Sequence, residues 1–208
     1  TGASRRNPGY SLEIELSMAS YNPFYMPNLW HDLPLVGAMV DCTPKASDKQ
    51  ERRGIREATP TAIAVEMDIG ETGLAGDDHG EIVRYEYFPG ADKQYITRET
   101  ANCGQNRDSG AVQPILGSSG SPGQPRTVRV VNDDLNLAIF RYYDGVGKEG
   151  NPLAINCPTG NEPSCAQIPN IRRIEITLAA QTAEVDPATK RPKQMIYSTS
   201  VLVRNHVF

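Results

Sequence analysis

Four cysteines, three histidines and two acidic turns are the parts of this 208-residue chain whose chemistry could go beyond packing. Cys42, Cys103, Cys157 and Cys165 lie at no metal-ligand spacing. None belongs to a Cys-x-x-Cys pair with a second such pair or a His nearby, which argues against zinc. The segment Cys157-Pro-Thr-Gly-Asn-Glu-Pro-Ser-Cys165 is a turn-rich loop with a thiol at each end, a composition that brings two Cα atoms within bridging distance. A Cys157–Cys165 disulfide is therefore expected, with Cys42 and Cys103 left to pair across the fold. Four separate thiols in a reducing compartment are the competing reading, and the bridges would imply an oxidising one.

The acidic turns offer hard oxygen ligands of the kind calcium takes. Asp68, Glu71, Asp77, Asp78 and Glu81 flank the first, Asp144 and Glu149 the second, and Asp77, Asp78 and Asp144 are the calcium candidates. Neither turn has the Asp-x-Asp-x-Asp-Gly spacing of an EF-hand, so a solvated hairpin tip is the plainer account and no cofactor is expected. His31, His79 and His206 are scattered and sit in no catalytic signature, so no catalytic residue is assigned and no enzyme expected. Tyr21, Phe24, Tyr25 and Trp30 lie close together; they could stack on a sugar or cover one end of a core, and the cover is favoured.

Composition narrows the partners. With 21 Lys+Arg against 25 Asp+Glu the net charge is −4, and no basic run exceeds Arg52-Arg53, a poor footprint for nucleic acid. No uncharged apolar run approaches the roughly 20 residues that span a bilayer. Eighteen Gly and sixteen Pro predict many turns.

The elements that must position these groups are mostly strands. Residues 11–21 read both as strand (Leu12, Ile14, Leu16) and as helix (Leu12, Leu16, Ala19); the helical set is longer and Asn22-Pro23 supplies a stop, so a helix is expected. Period-two patterns follow at 61–69, with Ile63, Val65, Met67 and Ile69 on one face, and at 81–88, 93–98, 126–131, 135–143, 171–178 and 195–203. Ile174, Ile176 and Leu178 should face inward, with Arg173, Glu175 and Thr177 outward. Residues 102–125, rich in Gly, Ser and Pro, are expected as a long loop, and 186–192 as a hairpin loop. Strands next to strands imply antiparallel sheets in an α+β, β-rich fold, with residues 1–208 as one domain.

A series of segments, taken in order, resembles the minor pilins of type IV pili, the PilW-like group, and the related J-type minor pseudopilins of type II secretion. Ser17-Met-Ala-Ser-Tyr-Asn-Pro23 is similar to the family's helix-exit signature, with Ser17 where a charged residue is common and Ser20 where Gly is. Ala62-Ile-Ala-Val-Glu-Met-Asp-Ile-Gly70, Ile82-Val-Arg-Tyr-Glu-Tyr87 and Tyr95-Ile-Thr-Arg98 resemble its central sheet. The run from Val131 to Gly145, then Ile171 to Leu178 and Ser200-Val-Leu-Val-Arg-Asn205 follow in the family's order. The resemblance implies a pilin-like fold, an N-terminal helix stub on antiparallel sheets. It implies a structural subunit that primes filament assembly through protein–protein interfaces, with other minor pilins and a major pilin as partners. It further implies a hydrophobic helix removed from upstream of Thr1, anchoring the subunit at the periplasmic face of the inner membrane before it joins an extracellular filament. Neither nucleic acid nor a small-molecule substrate is expected. Residues 102–125 are the candidate recognition loop, and an extracellular β-rich module for carbohydrate or another ligand is the alternative.

Overall fold

A computed structural model describes residues 8–26, 29–30, 53–90, 93–104, 113–117, 127–146, 150–158 and 163–207. Helix α1 spans Pro8–Ser17. Leu12, Leu16 and Ala19, at i, i+4 and i+7, are its buried stripe. The expected helix ran to Tyr21; the regular helix ends four residues sooner. Ser20 takes a left-handed conformation (φ 68°) and gives its N–H to the Glu66 carbonyl at 3.0 Å, so the sheet captures the last turn.

Five strands form the first sheet, an antiparallel meander: β1 (Ile55–Ala58), β2 (Ala62–Glu66), β3 (Ile82–Phe88), β4 (Tyr95–Ala101) and β5 (Gln113–Leu116). The second has the order β10-β9-β7-β8, with β6 also on β9. Its strands are β6 (Val128–Val130), β7 (Phe140–Tyr143), β8 (Pro152–Leu153), β9 (Arg173–Val185) and β10 (Pro192–Leu202). All the pairings are antiparallel, as expected. One buried cluster draws on α1 and both sheets.

Several boundaries differ from the sequence reading, each for a tertiary reason. The strand expected over 61–69 stops at Glu66, and Ile69 is exposed. All five β2 residues are buried, because Ala62, Ala64 and Glu66 on the second face are also covered. The 102–125 loop contains β5, recruited by the edge of β4; the rest of that segment, apart from 102–104 and Gly117, lies outside the described residues. The strand expected over 135–143 is regular only from Phe140, since 133–137 turns back on itself, Asn136 with φ 52° and Leu137 N–H bonded to the Asn132 carbonyl. On β9, Ile174 and Ile176 are buried and Leu178 partly so, as the alternation requires.

Asn132 and Asp133 join the layers. Between β6 and β7 the side-chain amide of fully buried Asn132 stands in for strand backbone: its Nδ2 donates to the Thr177 carbonyl, and its Oδ1 accepts from Ala179 N–H, each at 2.8 Å. Asp133 accepts from the Tyr87 hydroxyl, from Gly90 N–H at 2.8 Å and from the Gln94 amide. Desolvation pushes the Asp133 carboxyl up, but these donors outweigh it and hold it below the usual range. A depressed carboxylate stabilises the fold above its unfolded pKa, about 3.9, and loses that contribution as pH falls through the folded value. Asp133→Asn is expected to cost about 0.5–1 kcal/mol at pH 7, since solvent screens this exposed group. The difference from wild type should close in urea titrations repeated at progressively lower pH, below the ordinary carboxylate range.

Candidate assembly surface

The Cys157–Cys165 disulfide forms, with Cα atoms 5.1 Å apart. Cys103 is also disulfide-bonded; Cys42, its expected partner, lies outside the described residues. Cys157 exchanges both backbone bonds with Ala58, at 2.9 and 2.7 Å, so the bridge holds the loop after β8 against the end of β1. Removing both sulfurs (Cys157→Ala with Cys165→Ala) is expected to lower unfolding free energy by about 2–3 kcal/mol, the chain-entropy value for so short a loop. Thermal melts with and without reductant check this.

The acidic turns separate. Asp77, Asp78 and Glu81 bring one carboxylate oxygen each within 4.8 Å of the others. Asp144 lies on another hairpin, where its carboxylate accepts from Asn151 N–H at 2.8 Å. Backbone donors organise the first turn. Glu81 accepts from Gly70 and Gly76 at 2.8 Å and from Asp78, and Asp68 accepts from Thr72 and Gly73. Burial raises the Glu81 carboxyl above its usual range, and neighbouring Asp77 adds to the rise, despite these three donors. His79 is exposed on the same turn; His31 and the side chain of His206 lie outside the described residues.

The aromatic group divides. Trp30 is buried and lies over Gly54, where a Cβ would come within 2.9 Å of the indole ring and 2.7 Å of the Glu66 carbonyl oxygen. Gly54 also has φ 79°, so only glycine fits there. Trp30 therefore acts as cover. Tyr25 (83% exposed) and Phe24 project outward on a turn clamped by Asn22, whose amide both donates to the Met26 carbonyl and accepts Met26 N–H. Tyr21, Tyr25 and Trp30 wall a recess of about 210 Å³.

Two features involve α1, one on each sheet. The first is how α1 is held. Glu15 receives Arg98 from β4 through Nε and Nη2, at 3.0 and 2.7 Å, together with the Tyr85 hydroxyl of β3. Burial, then the Glu15 carboxylate, pushes the Tyr85 phenol far up. Burial alone would lower Arg98, but Glu15 more than offsets it. The second is β10, which among the described residues pairs with β9 alone. Residues 193–198 are all exposed, including Met195 (66%), Ile196 (58%) and Tyr197. Tyr197 donates to Glu13 of α1 at 2.6 Å, which raises its phenol, and Ile14 is also exposed on that helix. Aromatic, methionine and aliphatic side chains left in solvent on adjoining elements have the composition of a protein interface.

No family model, curated protein or solved structure matches the chain.

The sequence names residues 102–125 as the candidate recognition loop and does not single out β10. A signal was present: 194–203, Gln-Met-Ile-Tyr-Ser-Thr-Ser-Val-Leu-Val, holds no charge, Gly or Pro. Which side of that strand stays open is a matter of sheet order. Among the described residues no helix is long and apolar enough to cross a membrane.

Proposed function

We propose that this chain is the head domain of an assembly subunit, a minor pilin of a type IV pilus or a minor pseudopilin of type II secretion, working through protein–protein interfaces. The observation that carries the reading is the set of exposed apolar side chains of Ile14 on α1 and of Met195 and Tyr197 on the face of β10 that meets Glu13, on a short helix clamped across antiparallel sheets. A pilin-like fold accounts for that arrangement, and the disulfide suits an oxidising compartment. In this reading the partners are other minor pilins and the major pilin. An upstream hydrophobic helix provides the inner-membrane anchor, and the head ends in an extracellular filament.

The test uses the full-length protein in its own cells. It is expected in filaments sheared from the surface or in the complex that primes them. Ile14→Glu with Met195→Glu should cut its recovery there about tenfold, as expected for charges buried at an interface core, while the circular dichroism of the purified chain is unchanged. The coding sequence upstream of Thr1 should specify a short basic leader followed by about 20 apolar residues. An ordinary cleaved secretion signal there, with no protein in filaments, overturns the proposal. The alternative, a ligand-binding module, has the Tyr21–Tyr25–Trp30 recess in its favour. Glycan binding lost on Tyr25→Ala would support it; Trp30→Ala is the poorer probe, because that ring is buried against Gly54.

A further inference from the structure

A sheet edge is a row of unpaired backbone donors and acceptors, and folded proteins ordinarily blunt it. Four of the five edges described here are blunted. β6 has three residues, and its Val130 N–H goes to the Gln94 carbonyl. β1 is buried throughout, carries a bulge between Ile55 and Glu57, and is closed at Ala58 by Cys157. β5 has four residues and contains Pro114. β8 has two, the first of them Pro152. β10 is different: it has eleven residues, lies in unbroken register with β9 from Gln194 to Leu202, and carries no charge, Gly or Pro from Gln194 onward. Its side chains are exposed on both faces over 193–198, so neither face shields the backbone.

Charge decides what this edge can accept. Cations stand beyond both ends of the neutral run: Lys190, Arg191 and Lys193 before it and Arg204 after it, all exposed. On the hairpin, Asp186 pairs with Lys193 at 3.2 Å, and Glu184 is the nearby acid of β9. A second copy pairing antiparallel about a two-fold at the middle of the run would bring Lys190, Arg191 and Lys193 of one copy toward Arg204 of the other, just beyond the paired strands, since β10 spans Pro192–Leu202. Like charges gathered at both ends of the ladder repel, and a carboxylate in the same place is favourable.

We infer that β10 captures an extended strand from a different protein, adding it antiparallel to the second sheet, and that this strand is uncharged through its middle and acidic at both ends. Main-chain bonds supply the affinity, and alternate side chains meeting Met195, Ile196 and Tyr197 supply the selectivity. The inference rests on the protein–protein reading above and names the mode and chemistry of the contact.

The probe is a synthetic ten-residue peptide, Glu-Thr-Val-Thr-Val-Thr-Val-Thr-Val-Glu, added to the 208-residue chain. Expected are slowed hydrogen exchange at alternate backbone amides of 194–202, those facing away from β9, and binding about tenfold weaker for the same peptide with Lys at both ends. Ser198→Pro and Thr199→Pro separate folding from capture, because neighbouring N–H groups point to opposite edges. One of the two should disturb the β9 pairing, and the other should stay folded and lose the peptide. Protection of β10 that grows with protein concentration and needs no peptide identifies a second copy as the occupant and overturns the inference. So does the absence of β10 protection with either peptide. Protein present in filaments while the peptide fails sinks strand capture alone; peptide bound while the protein is absent from filaments sinks the assembly reading alone.

Discussion

Arg84→Met is expected to lower unfolding free energy by about 3–5 kcal/mol at pH 7, the cost of removing one partner from a buried ion cluster. Arg84 sits in a cross-sheet row on the face of the first sheet opposite α1, where Ala64 pairs with Arg84 and Arg84 with Glu99. Its guanidinium meets Glu57 through Nε and Nη2, at 2.6 and 3.1 Å, and also Glu86, with Glu99 at 4.0 Å. The side chains of Arg84, Glu57 and Glu99 are at most 10% exposed. One guanidinium thus bridges Glu57 and Glu86 across the sheet. Burial by itself would lower Arg84, but Glu86 and Glu57 more than reverse that, so the group stays charged. In the variant the buried Glu57 carboxylate is left without its closest counter-charge. Protonation removes an uncompensated negative charge, so the deficit should be largest at neutral pH and shrink on acidification through about pH 4. Urea titrations across that range test the sign. Arg84→Met with Glu57→Met, which removes both members of the closest pair, should recover part of the loss. A deficit independent of pH would mean that packing, not charge, sets the cost.

Arg98→Met is expected to cost about 3 kcal/mol, at the lower end of the buried range because the Arg98 and Glu15 side chains are 26% and 22% exposed. Its effect should concentrate on the helix. An isolated ten-residue helix is marginal in water, so α1 depends on Leu12, Leu16 and Ala19 and on the charge-assisted clamp at Glu15. Hydrogen exchange at 12–18 should quicken while the β9 amides keep their protection. Uniform quickening of both would show that the clamp stabilises the whole domain and not the helix in particular. Glu15→Gln keeps a group that can accept from the Tyr85 hydroxyl and should lose less.

The pairing of Cys157 with Cys165 and the inward Ile174 and Ile176 were legible in the sequence because both rest on short-range constraints, the reach of a nine-residue loop and the two-residue pleat. Of the calcium candidates, Asp77 and Asp78 came together with Glu81, a neighbour in sequence, whereas Asp144 went to another hairpin. The clamp was not legible. Arg98 and Glu15 are 83 residues apart, and on a period-two reading Arg98 belongs to an inward face, where a charge is not expected without its partner.

By itself the sequence determined the local alphabet of this protein: a short helix stopped before Asn22-Pro23, a series of antiparallel strands, turn-rich joins and one local disulfide. These follow from torsional preference, pleat and loop length, which act within a few residues. Only the tertiary structure decided that Arg84 is buried in an ion cluster and Arg98 half-buried against Glu15, that Asn132 fills the gap between β6 and β7, and that among the described residues β10 is left as the open edge. Burial of a charge and exposure of an edge depend on which distant element arrives beside them, and no local pattern carries that information.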